Sequence, residues 1–159
     1  MNDFKTTDDI VICEMPKGTH VVAQYMKATD TLIVSPSDFA MKHREFTKEI
    51  LEDNTVFGTW DEETDKWYVH DIANIDKKTY FTQKELYDFC IAHNFLCVDV
   101  KYRGKFHSVE HCLSFLRHAD KDKVQGIWIK QDVADAEKRR TCFYTLSDKV
   151  INMDEIKRT

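Results

Sequence analysis

Two runs rich in β-branched and aromatic residues, 56–60 and 67–72, flank the polar pentapeptide Asp61-Glu62-Glu63-Thr64-Asp65, and that pattern specifies a β-hairpin. The same side-chain types at 11–13, 19–26 and 31–34 predict a small antiparallel meander, and 95–100 and 126–130 read as further strands. Helical spacing interrupts them three times. Residues 40–51 place Met41, Phe46, Ile50 and Leu51 on one face, and 108–118 makes a second helix. Between them Thr82-Gln83-Lys84-Glu85 has the spacing of a capping box, followed by Leu86, Phe89, Cys90 and His93 on one face. The tail 148–159 reads as a terminal helix or a frayed end. An α+β chain follows, with antiparallel sheets flanked by helices.

At 159 residues, 42% hydrophobic and 12% aromatic, the chain is long enough for one domain over 1–159 with a real core and no C-terminal accessory domain. Only 4 Gly and 2 Pro argue against linkers and disorder. No apolar run is long enough to cross a bilayer, and the acidic opening excludes a signal peptide, so a cytoplasmic protein without a membrane partner is expected. Five scattered cysteines without a Cys-x-x-Cys favour reduced thiols in a core.

The net charge of -5 is uneven: residues 1–80 carry 9 basic and 16 acidic side chains, residues 81–159 carry 14 and 12. Basic side chains gather at Lys101, Arg103 and Lys105, at Arg117, Lys121 and Lys123, and at Lys138, Arg139 and Arg140. Each cluster alone is an ordinary solvated face. Converging, the three would make a groove that tracks a phosphate backbone.

His107, His111, Cys112 and His118 suggest a metal site, as do Cys90, His93 and Cys97, but neither set has a recognised fourth ligand, and helix and core roles are favoured. Trp60, Trp67 and Trp128 read as packed aromatics rather than a base-stacking platform. No histidine pairs with a Ser or Cys nucleophile, which excludes a hydrolase triad.

Four segments in order carry a resemblance: Glu14-Met15-Pro16-Lys17-Gly18-Thr19, Trp67-Tyr68-Val69-His70-Asp71-Ile72, Arg103-Gly104-Lys105-Phe106 and Gln125-Gly126-Ile127-Trp128-Ile129-Lys130. They resemble the nucleotidyltransferase motifs of ATP-dependent RNA ligases of the second, phage and kinetoplastid, type. The match runs from Glu14 to Lys130, and all four glycines, Gly18, Gly58, Gly104 and Gly126, fall where that family places glycine. The resemblance implies a compact ligase-type nucleotidyltransferase fold. It also implies ATP as the nucleotide, with Mg only if ligase chemistry is retained.

The departures are chemical. Glu14 and Gly18-Thr19 fit a motif Glu-Lys-x-Asp-Gly-Thr, but Met15 stands at the lysine that becomes adenylylated and Lys17 at the aspartate. A thioether has no amine to attack an α-phosphate, and Lys17, about 6–7 Å along a strand, does not inherit its place. Thr59 follows Gly58 where the family has glutamate, and His70 stands for a phenylalanine that stacks on adenine. Gln125 replaces a carboxylate that helps hold a divalent metal, and it lacks the charge hard cations favour. Lys130 matches the motif's lysine, and Lys138-Arg139-Arg140 fits the last, phosphate-contacting motif.

The resemblance therefore implies a degenerate ligase-like module that binds nucleotide or RNA ends through Glu14, Lys17, Gly18, Thr59, His70, Gln125, Lys130 and Lys138 to Arg140, without a lysyl-adenylate. Two alternatives stand beside it: an active ligase whose lysine was changed to Met15, and a protein-interaction module, as a viral or host-factor partner in the host cytoplasm.

Overall fold

The computed structural model describes residues 4–146 and 150–152. In chain order the strands are β1 (Asp9–Pro16), β2 (Thr19–Met26), β3 (Thr31–Ser35), β4 (Asn54–Asp61), β5 (Lys66–Asn74), β6 (Thr79–Tyr80), β7 (Leu96–Cys97), β8 (Val100–Lys105), β9 (Val124–Gln131), β10 (Thr141–Thr145) and β11 (Val150–Asn152). The helices are α1 (Ser37–Lys42), α2 (Lys48–Leu51), α3 (Gln83–His93) and α4 (Val109–Arg117). They form two compact units: Met1–Lys17, Val98–Val133 and Lys138–Thr159 in one, and Gly18–Cys97 with Ala134–Glu137 in the other. Each has its own sheet and its own core.

The first unit's sheet has the order β11-β10-β9-β1-β8, antiparallel throughout. Alternation decides its core face: Ile10 and Ile12 of β1, Ile127 and Ile129 of β9, and Cys142 and Tyr144 of β10 pack with Cys112 and Leu116 of α4. The Ser108 hydroxyl accepts from the His111 amide at 3.1 Å and starts that helix. The expected meander of the first three strands does not form. Residues Ile10 to Cys13 are buried on both faces, and β1 pairs with β8 and β9 rather than with β2. Gly18 is the reason the Lys17-Gly18 link is not a hairpin: its φ of +149° carries the chain out of one sheet and into the next.

The second unit's sheet has the order β3-β2-β4-β5-β6, with β7 parallel to β5. The expected hairpin is β4–β5, closing at Asp61 opposite Lys66. Val21, Ala23, Val56, Trp60, Trp67, Val69 and Ile72 of the sheet pack with Phe39, Phe46, Leu51, Leu86 and Cys90. The capping box forms, with the Thr82 hydroxyl accepting from the Glu85 amide and the Glu85 carboxylate accepting from the Thr82 amide.

The helix expected over 40–51 is two short helices instead. Thr47 caps α2 by accepting from the Ile50 amide at 3.2 Å, and an extended stretch before it lets Phe46 enter the core. Met41, expected on the buried face, is 70% exposed. The strand expected over 95–100 is likewise split, β7 belonging to the second unit and β8 to the first. Of the expected terminal helix, residues 150–152 are a strand paired with β10, and 148, 149 and 153–159 lie outside the described residues. No helix among the described residues is long and apolar enough to cross a membrane.

Candidate functional site

In the first unit the motif residues converge on two adjacent strands. Met15 of β1 lies opposite Gly126 of β9, and the register between them shifts at the next step, from Met15↔Gly126 to Pro16↔Val124. Gln125 is the extra residue of that β-bulge, and its Nε2 donates to the Pro16 carbonyl at 2.8 Å. Gly126 is there because nothing larger fits: a Cβ would stand 2.2 Å from the Tyr144 carbonyl oxygen. Met15 is 7% exposed, a buried thioether.

Two residues along β9, Trp128 and Lys130 follow Gly126 with the alternation of one sheet face, and both are buried. Lys130 Nζ stands 4.9 Å from the centre of the Trp128 ring, and the Arg139 guanidinium carbon stands 5.6 Å from it. The indole face carries negative electrostatic potential, so it holds two cations near each other at lower cost than an aliphatic surface. Trp128 is thus packed, as the sequence suggests, and it is also a platform for charge. Lys138 and Arg140 are exposed on either side of Arg139, and the Arg140 amide is held by Gln131 Oε1 at 3.1 Å.

Other members of the expected set lie elsewhere in this unit. Glu14 belongs to the face opposite Met15: its carboxylate reaches Lys101 Nζ at 3.8 Å, and burial raises its pKa, with Lys101 lowering it. Lys17 is exposed beyond the end of β1, its amide bonded to the Lys123 carbonyl at 3.0 Å. The basic cluster on β8 is engaged as well: Lys101 pairs with Asp99 at 2.8 Å, Arg103 with Asp132 at 3.5 Å and Lys105 with Asp9 at 3.0 Å. These three guard the open edge of the sheet with charge.

In the second unit the site residues share the face of the sheet away from its core. Gly18 precedes β2, and a Cβ on it would lie 2.2 Å from the Trp60 carbonyl oxygen. Thr59 of β4 is buried and lies opposite His20 of β2. His70 is the extra residue of a second β-bulge, where the register steps from Phe57↔Asp71 to Gly58↔Val69. The bulge turns His70 off the core face and stacks its ring on His20, with centroids 5.5 Å apart. His20 in turn lies 6.3 Å from the Phe57 ring. His20 is exposed as a whole, and desolvation of its ring lowers its pKa, against a smaller raising contribution from a hydrogen bond with the Gly58 backbone.

His20 belongs to none of the sequence motifs. Its signal was the alternation of β2, where inward Val21 and Ala23 force His20 to the opposite face. Of the histidines and cysteines weighed for metal, His111 and Cys112 lie in α4, Cys90 and His93 in α3, and His107 and His118 are exposed at either end of α4. The His107 and His111 rings meet edge to face at 4.9 Å, His118 Nδ1 donates to the Ser114 carbonyl at 2.7 Å, and burial pushes the Cys112 thiol up to about 11.

No family model matches the sequence, and no curated protein matches it. Solved structures do. An archaeal ATP-dependent RNA ligase superposes with a TM-score of 0.68 over 92% of this chain and 44% of its own, at 13% identity. A mutant of the Naegleria gruberi RNA ligase with ATP and Mn gives 0.63 over 86% and 49%, at 16% identity. A lysine-to-methionine mutant of that ligase with AMP and Mn gives 0.62 over 97% and 52%, at 16% identity. The fold is that of the RNA-ligase nucleotidyltransferase domain. The chain spans about half the length of the ligase structures it matches.

A ligase-type fold raises the question of a divalent metal, since Mn accompanies the nucleotide in the Naegleria structures. The described residues do not fit one. Gln125 offers an uncharged amide whose Nε2 is committed to Pro16, and the Glu14 and Asp132 carboxylates are paired with Lys101 and Arg103. Among the described residues no three His, Cys, Asp or Glu side chains are grouped to hold an ion. Hard cations require several oxygen ligands with negative charge among them.

Proposed function

We propose that this chain is a ligase-like module that binds nucleotide or RNA ends and forms no lysyl-adenylate. The observation that carries the reading is Met15, which stands opposite Gly126 at the place of the attacking lysine in the resemblance. Covalent transfer needs an amine that can lose its proton and be brought to phosphorus, and a buried thioether has none. What the chain keeps is binding chemistry. Lys130 and Arg139 on Trp128 offer charge to phosphate, and Lys138 and Arg140 extend that charge into solvent. The His20–His70 stack offers a flat surface to a base, tested separately from the phosphate contacts.

The test is incubation with ATP labelled in the α-phosphate, beside a Met15→Lys variant, together with binding measurements for ATP and single-stranded RNA. Binding without label on the chain is the expected result, and covalent label on the unaltered sequence would overturn the reading. Label on Met15→Lys alone would favour an active ligase whose lysine was exchanged, a reading supported by the retained close approaches at Gly18 and Gly126. Absence of both affinities would leave the protein-interaction module.

A further inference from the structure

We infer that β3 is a pairing edge for a second copy of this chain, the two strands running antiparallel about a twofold axis through Ile33. The inference does not depend on the proposed nucleotide binding. Its observation is an uncharged sheet edge whose residues match themselves when the strand is reversed.

β3 ends the second unit's sheet, and among the described residues no strand pairs with its outer side. Alternate residues of an antiparallel strand turn N–H and C=O away from the neighbour, so β3, bonded to β2 on one side, presents such groups on the other. Edges of this kind are ordinarily blunted with charge. The first unit does so, with Lys101, Arg103 and Lys105 along β8. β3 reads Thr-Leu-Ile-Val-Ser and carries no charge, and Leu32 and Ile33 are 43% and 41% exposed.

The order of the side chains selects the occupant. Val34 and Leu32 lie opposite Ala23 and Tyr25 of β2, which pack in or against the core, so they belong to the core face and Thr31, Ile33 and Ser35 to the other. Reversed about Ile33, the strand sets Leu32 across from the partner's Val34, Thr31 across from the partner's Ser35, and Ile33 across from the partner's Ile33. Apolar meets apolar and hydroxyl meets hydroxyl, the pairs that stabilise neighbouring strands. Such a symmetric contact closes at two copies, and both core faces stay on one side of the joined sheet. Parallel pairing would turn those faces to opposite sides and bring Asp30 beside the partner's Asp30 at the start of the strand, where like charges repel. Asp30, with φ of +50°, and Pro36, which has no N–H to give, bound the pairing at the five residues of β3. So short a contact buries less than the roughly 800 Å² per partner of a standard interface, and a dissociation constant on the order of 0.1 mM is expected.

Sedimentation equilibrium of the full chain, carried to millimolar concentration, tests it. A monomer–dimer equilibrium is expected, weakened roughly tenfold by Ile33→Lys and by Ile33→Glu, since each sets like charges across the axis. An equimolar mixture of the two variants should associate again, because lysine then faces glutamate. Ile33 is exposed and points away from the core, so both variants are expected to keep the parent's urea midpoint. Ile91→Lys, on the exposed side of α3, is the control and should leave the equilibrium unchanged. A parent that stays monomeric at every concentration, a dimer that survives Ile33→Lys, a mixture that does not associate, or a dimer lost with Ile91→Lys would each overturn the inference.

Discussion

Met15 lies across from Gly126 in the β1–β9 ladder, one step before the bulge that Gln125 forms. Met15 and Gln125 are therefore neighbours on two paired strands, held by backbone rather than by loops. Strands fix a side chain's origin more tightly than connecting segments do, so a lysine introduced at Met15 would start from a defined place.

That scaffold depends on Gly126. An alanine there would press its Cβ to 2.2 Å from the Tyr144 carbonyl oxygen, and neither strand can yield without losing ladder hydrogen bonds. Gly126→Ala is expected to lower stability by about 1–3 kcal/mol, read from urea unfolding. Gly104→Ala is the control. Its Cβ meets the Tyr102 hydroxyl at 2.9 Å, a side-chain atom rather than backbone, and a smaller loss is expected.

Helix α3 gives a prediction of the opposite kind, local and legible. Thr82 and Glu85 satisfy each other's backbone amides, so Thr82→Ala strips the first turn of one acceptor. A loss of about 1 kcal/mol is expected, with the denaturant slope unchanged. A loss near zero would mean that water replaces the hydroxyl at no cost.

These two sites mark what the sequence discloses and what it hides. The capping box, the β4–β5 hairpin and the Ser108 start of α4 are written in residues three to twenty apart, and the structure forms all three. Periodicity also placed β9. The bulges at His70 and Gln125 are invisible in the same pattern, because register is a property of two strands and the sequence displays one at a time. For the same reason β1 looked like the first strand of a meander, although its pairing with β9 joins residues more than a hundred positions apart. The break between α1 and α2 was hidden by apolar spacing that suits a helix, with Thr47 the one local signal against it.

His20 sets a pH dependence whose sign is fixed by its shift. The folded chain resists protonating this imidazole, so the unfolded chain takes up the proton first as pH falls. Stability from this group is complete above the ordinary histidine value of about 6.5 and declines as pH drops below it toward the lower folded value. Glu14 works the other way at lower pH, its carboxyl raised by burial, so its protonation favours the fold. Unfolding midpoints measured from pH 7.5 to 5 should fall for the parent and fall less for His20→Phe. An identical decline in both would remove His20 as the cause.

RNA affinity should separate the basic clusters by whether their charges are already spent. Lys101, Arg103 and Lys105 each hold a carboxylate within 3.5 Å, so phosphate must compete with a bound anion there. Lys138 and Arg140 are exposed, and no ion pair engages either among the described residues. Each phosphate contact to a single strand contributes about 0.7 to the slope of log affinity against log salt, through released counterions. Lys138→Ala with Arg140→Ala is therefore expected to reduce that slope by about 1.4 for a short single-stranded RNA. Neutralising the three β8 cations should change it little and should instead expose an uncharged sheet edge, seen as self-association in sedimentation. A slope that falls with the β8 variants and not with Lys138 and Arg140 would move the RNA to the opposite edge of the sheet, away from Lys130 and Trp128.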